Sequence, residues 1–112
     1  MEEVKIDGID FIIATEDLPI ELKWDKAVKY AIDLGDGWRL PTKDELNILF
    51  INRDSIGKFG VSTYWSSSEI DINHFIFGEM KCAWAQTFFL HGIQHELEKK
   101  KHKCPVRLVK SL

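Results

Sequence analysis

The run GWRLPTKDEL, residues 37–46, constrains the fold more tightly than any other stretch of the chain. Thr42 and Glu45 read as T-x-x-E, so each side chain can satisfy a backbone N–H that the start of a helix leaves free. Pro41, just ahead of them, fixes the direction in which the chain arrives. Upstream, Trp24, Ala27, Val28 and Ala31 form one apolar stripe at helical spacing within Glu21–Leu34, with Lys23, Asp25, Lys26, Lys29 and Asp33 elsewhere. Gly35 supplies a left-handed stop just past the last turn. The run is therefore expected to be a joint: a helix stop, a rigid turn and a capped restart. Leu46, Leu49 and Phe50 would then form the buried stripe of the second helix, with Asn52-Arg53-Asp54 and Gly57 ending it. Trp38 and Leu40 would enter the core, and Arg39 would pair with a carboxylate or with backbone carbonyls.

Strand signals flank this helical block. Residues 4–7 and 9–14 are β-prone runs around Gly8, which suggests a strand, a tight turn and a second strand. After Gly60, residues 61–68 (VSTYWSSS), 83–90 (AWAQTFFL) and 105–110 (PVRLVK) read as strands. Gly92 falls in a hairpin that returns through residues 93–98. The stretch 69–81 (EIDINHFIFGEMK) reads as a long irregular connection. This order predicts an α+β domain over residues 1–112, with two helices on a small, mostly antiparallel sheet and a last strand returning to the first.

Composition excludes several classes. At 112 residues and 45% hydrophobic, the chain can hold a core without covalent staples. Four Trp and seven Phe imply an aromatic core or an aromatic binding face. A net charge of −3 gives no electrostatic reason to expect nucleic acid or an anionic membrane as partner. The basic run Lys99-Lys100-Lys101-His102-Lys103 reads as a solvated turn. No apolar stretch reaches membrane-spanning length, so no membrane insertion is expected. The N-terminus MEEVKIDGID lacks the basic and apolar regions of a signal peptide, so the expected location is cytoplasmic as encoded, with export or virion association left open. Cys82 and Cys104 are too few for a disulfide framework and are read as free thiols or a single bridge.

The candidate sites divide into chemistry and recognition. Ser66-Ser67-Ser68 has no G-x-S-x-G elbow, and these residues are expected to pack near aromatics rather than attack a substrate. His74, His91, His95 and His102 follow no metal-binding spacing, since HGIQH straddles a hairpin turn, and neither metal nor cofactor is expected. Recognition is better placed in the 69–81 connection, where Glu69, Asp71, Asn73, His74, Phe75 and Phe77 make an amphipathic surface. The alternative is that Phe75 and Phe77 tuck beneath it as a satellite core. His91, Gln94 and His95 on the following turn complete the expected binding set.

Read in order, GWRLPT, YWSSSE, AWAQTF and VRLVK resemble the bacterial family named after the C-terminal domain of a collagen-like adhesin. The residues that carry the resemblance are Trp38, Arg39, Pro41, Thr42, Glu45, Trp65, Trp84 and Arg107, and it spans about Trp24 to Lys110. The resemblance implies a variant of the C-type lectin fold with paired terminal strands. It also implies ligand contacts on the loop face, with 69–81 beside the 91–95 turn. An RLPT-x-x-E phrase also occurs in the formylglycine-generating enzymes, but Cys82 and Cys104 match no catalytic motif of theirs. The Glu-Pro-Asn loop and Trp-Asn-Asp strand of calcium-dependent lectins are missing as well. The expected function is thus a non-enzymatic, calcium-independent module that binds a protein or glycan, with homo-oligomer contacts open. The alternatives are an enzyme or metal-dependent protein distantly related to the formylglycine-generating oxidases, using Cys82, Cys104 or the histidines, and a structural or phage-associated assembly protein.

Overall fold

In the computed structural model, which describes every residue except Phe75 and Phe77 and gives His74 by its backbone, residues 37–46 join two helices, α1 (Trp24–Leu34) and α2 (Lys43–Ile51). Both arms of the capping box form. The Glu45 N–H donates to Thr42 Oγ1 at 3.1 Å, and the Thr42 N–H donates to Glu45 Oε1 at 2.9 Å. Arg39 grips the same carboxylate with both ends of its fork, Nη1 to Oε1 at 2.6 Å and Nη2 to Oε2 at 3.0 Å. Burial alone would push the Glu45 carboxyl up, but its bonds from Arg39 and Thr42 more than offset this and hold it below the usual carboxylate range. Gly35 takes φ 70° at the end of α1. After Asn52 the chain makes one more short helix, α3 (Arg53–Ile56), where the sequence suggested only a stop.

Strands β1 (Glu3–Val4), β2 (Phe11–Ala14) and β6 (Val109–Ser111) form one antiparallel sheet in the order β1-β2-β6. The C-terminal strand thus pairs with the second N-terminal run, Phe11 facing Ser111 and Ile13 facing Val109. A second antiparallel sheet holds β3 (Thr63–His74), β4 (Gly78–Thr87) and β5 (Gln94–Glu98) in that order. Regular pairing near the C-terminus is shorter than residues 105–110 suggested. The N–H groups of Ala14, Leu18 and Leu22 donate to the carbonyls of Leu108, Val106 and Cys104 respectively, but Pro105 has no N–H to complete a ladder.

Alternation along β2 divides the interior in two. Phe11 and Ile13 join Leu46, Leu49 and Phe50 of α2, while Ala14 joins Trp24, Ala27 and Ala31 of α1. Tyr64 and Trp65, neighbours on β3, split the same way, as do Val109 and Leu108. Fully burying one such large side chain contributes about 2 kcal/mol, more than the ~1 kcal/mol of a helix cap. Packing therefore holds the helices in place, and the capping box decides where α2 begins.

The motif residues are wiring within this frame. Arg107 is fully buried; its Nε donates to Asp17 Oδ1 at 2.9 Å and its Nη1 to the carbonyls of Ala14 and Gly57 at 3.3 and 3.1 Å. Trp65 Nε1 donates to the Leu22 carbonyl at 2.9 Å. The serines do more than pack against aromatics: Ser66 Oγ donates to the Trp84 carbonyl at 2.6 Å, and the Lys43 N–H donates to Ser68 Oγ at 2.8 Å. They occupy a register shift between Trp65 and Glu69 that breaks simple alternation there. Lysines cover three indole rings: Lys43 over Trp84 at 3.7 Å, Lys99 over Trp24 at 4.1 Å and Lys110 over Trp38 at 4.7 Å. Lys99 is therefore not the solvated residue that its basic run suggested.

Candidate functional site

β4 is the spine along which the expected binding residues are distributed. The 69–81 stretch is not an irregular loop: it continues β3 and β4 as a hairpin, paired from Glu69 and Ala83 to His74 and Gly78. Glu69, Asp71 and Asn73 are exposed while Ile70 and Ile72 are half-buried, a period-two pattern proper to a strand with one wetter face. β5 covers β4 only from Cys82 to Gln86, so the far part of the hairpin projects as a two-stranded arm. On its polar face Lys81 Nζ lies 2.9 Å from Asp71 and 2.6 Å from Glu79, and Lys99 lies 3.4 Å from Glu69. Phe75, Phe77 and the His74 side chain lie outside the described residues.

His91, Gln94 and His95 sit at the other end. From Gly78 to Gln86, β4 runs roughly 26 Å at the usual rise of a strand. The expectation that 69–81 lies beside the 91–95 turn is therefore corrected for the far part of the stretch; its base, where Glu69 pairs with Ala83, stays near β5. A loop could have folded back over the sheet, whereas a paired hairpin runs straight out of it.

The turn between β4 and β5 is held firmly from beneath. The Thr87 N–H donates to the Ile93 carbonyl at 3.0 Å, and the Gly92 N–H donates to that of Phe89 at 3.1 Å. The fully buried Gln86 donates through Nε2 to Asn47 Oδ1 and to the Gly92 carbonyl, both at 2.9 Å. Gln94 Nε2 donates to Gln86 Oε1 at 3.1 Å and to the Lys43 carbonyl at 2.8 Å. Gln94, expected to meet a ligand, instead belongs to an amide network that ties the turn to α2. Gly92, at φ 65°, lies against the Phe50 ring, where a Cβ would collide with it.

The outside of the same turn is apolar. Leu90 is 82% exposed, Ile93 63% and Phe89 38%. With Thr87, His91 and His95 they line a notch of about 230 Å³. Leu90 takes φ 52°, a left-handed conformation that bulky residues rarely adopt, and its side chain still points into solvent. His95 Nε2 is buried with no hydrogen-bond partner among the described residues. Phe89, Leu90 and Ile93 were missed in the sequence because FFL reads as the end of a strand. A partial signal was there: the three apolar residues 88–90 in a row cannot all face one core, which implies that some are exposed without saying which.

Two larger concavities, about 590 and 340 Å³, are lined by residues such as Glu16, Asp17 and Leu18 in one case and Arg53, Lys58 and Phe59 in the other. Neither contains an expected binding residue. Cys82 and Cys104 are free and buried. Burial pushes the Cys104 thiol up to about 12 and also raises that of Cys82, which disfavours the reactive thiolate. Among the described residues no group of three or more His, Cys, Asp or Glu is placed to hold a metal ion. Among those residues, too, no helix is long and apolar enough to cross a membrane. No protein-family model matches the chain, and no curated protein matches its sequence.

Proposed function

We propose that this chain is a non-enzymatic recognition module, a small C-type lectin-like domain akin to the C-terminal domain of collagen-like adhesins, which binds a protein or glycan through the outer face of the 87–95 turn. The observation that supports this most is the contrast between the two sides of that turn. Its inner side is fixed by Gly92 against Phe50 and by the Gln86–Asn47–Gln94 network, while Leu90, Ile93 and Phe89 are held out in water. Apolar side chains presented on a rigid support cost little to order on binding, and each can contribute about 2 kcal/mol when covered. The exposed His91 adds a polar group at the rim. The kinship to adhesin domains is supported by the GWRLPT joint, the WSS wiring and the pairing of the terminal strands.

The test compares the wild-type chain with the double variant Leu90→Ser, Ile93→Ser on a glycan array and in affinity capture read by mass spectrometry. Ligands retained by the wild type should be lost by the variant while its unfolding midpoint stays unchanged. Identical binding profiles would remove the turn from consideration, and an early-melting variant would show that Leu90 and Ile93 serve stability instead.

A further inference from the structure

We propose that the outer edge of β3 along the arm is a strand-addition site for an extended, basic segment of a partner protein. This surface is separate from the turn and does not rest on the reading given to it. In an antiparallel sheet each residue turns its N–H and C=O to the same side, and successive residues alternate sides. The Thr87 N–H donates to the Ile93 carbonyl and the Lys99 N–H to the Lys81 carbonyl, so odd-numbered residues of β4 turn towards β5. Met80 and Cys82 therefore turn towards β3, where their partners are Ile72 and Ile70. Glu69, Asp71 and Asn73 are left with their backbone groups directed away from the sheet.

Nearer the body of the domain this edge is occupied. The Trp65 N–H donates to the Pro105 carbonyl at 3.3 Å, and the Ser67 N–H donates to that of Pro41 at 2.7 Å. Beyond Ser68 no described backbone group reaches it. Donors and acceptors repeating every ~6.8 Å along an edge match another extended backbone.

Charge selects which strand. Among the described residues Glu69, Asp71 and Glu79 share Lys81 and Lys99, and the exposed Lys81 pairs exchange readily in water. A second copy pairing over the whole of this edge about a two-fold axis would set the two Asp71 carboxylates directly opposite each other, a repulsive arrangement. Lysine or arginine at alternate positions of an incoming strand would instead meet Glu69 and Asp71. Acidic side chains on an open edge thus oppose self-association and leave the edge available to a basic partner.

An isotopically labelled full chain titrated with an end-capped Lys-Val-Lys-Val-Lys peptide provides the test. The amides of Glu69, Asp71 and Asn73 should shift and gain protection from hydrogen exchange. The same peptide N-methylated at alternate amides should not bind, and Glu-Val-Glu-Val-Glu should bind about fivefold more weakly. Asp71→Lys should reverse the order of the two charged peptides, with unchanged signals from residues 87–95 reporting that the variant is folded. Equal binding of the N-methylated peptide would overturn the proposal, because charge alone would then suffice. So would unprotected edge amides at saturating peptide, or protection that rises with protein concentration in its absence, which would give the edge to a second copy. None of these results bears on the Leu90 and Ile93 comparison, so the two readings fail separately.

Discussion

The two ends of β4 are built from different kinds of interaction. At Gln86 the strand runs into a buried amide network, a glycine fitted against Phe50 and a hairpin with β5. At Gly78 it is one half of a two-stranded arm on which Lys81 pairs with Asp71 across the strands and with Glu79 along its own strand, all three half-exposed or more. Buried contacts resist water and salt, whereas exposed ion pairs contribute little and are screened. An isolated two-stranded ribbon is marginal by itself. One end thus presents a preformed surface, and the other presents an edge that a partner strand would complete.

Substitutions should separate the ends by size of effect. Gly92→Ala should be the most damaging, at about 3 kcal/mol or more in chemical denaturation, because it adds a Cβ where the Phe50 ring already lies and strains φ 65°. Phe50→Leu in the same chain should recover part of that loss by making room. Next comes Gln86→Leu, which leaves Asn47 Oδ1, the Gly92 carbonyl and Gln94 Nε2 without their partner and should cost about 2 kcal/mol. If either change were neutral, the rigidity assigned to the turn would be wrong. On the arm, Lys81→Ala should leave the global unfolding midpoint within error of wild type. A large drop there would mean that the arm is part of the cooperative core.

The two ends also differed in how well the sequence disclosed them. The joint at residues 37–46 was legible because a cap, a proline and a glycine stop act locally, and both arms of the Thr42–Glu45 box form as spelled. The β4–β5 hairpin was legible from Gly92. The arm was misread because Asp71, Asn73 and Gly78 carry turn chemistry, and that masked the alternation of Ile70 and Ile72 with polar neighbours. Gln94 looked like a surface amide because its partners, Gln86 and the Lys43 carbonyl, are brought to it only by tertiary packing. The exposed Leu90 and Ile93 could not be told from core residues by type, since hydrophobicity says nothing about which side of a turn a side chain takes.

The finest distinction between the ends is their response to acid. Hydrogen bonding to Lys81 is the main reason that the exposed Asp71 carboxyl is held below the usual range. A carboxyl depressed in the folded state contributes stability above its ordinary value, near pH 4, and loses it as the pH falls through the lower, folded value. Protection factors of the arm amides Ile70, Ile72 and Met80 should therefore decline as the pH drops below about 4, by a small amount because solvent screens this half-exposed ion pair. Lys81→Ala should lower these factors at neutral pH and flatten their acid dependence. The amides of Gln86 and Gln94 should keep their protection over the same interval in both chains, since neutral amide bonds hold them. An arm whose protection ignores both pH and Lys81 would owe its order to its apolar face, and the contrast with the turn would then be one of degree.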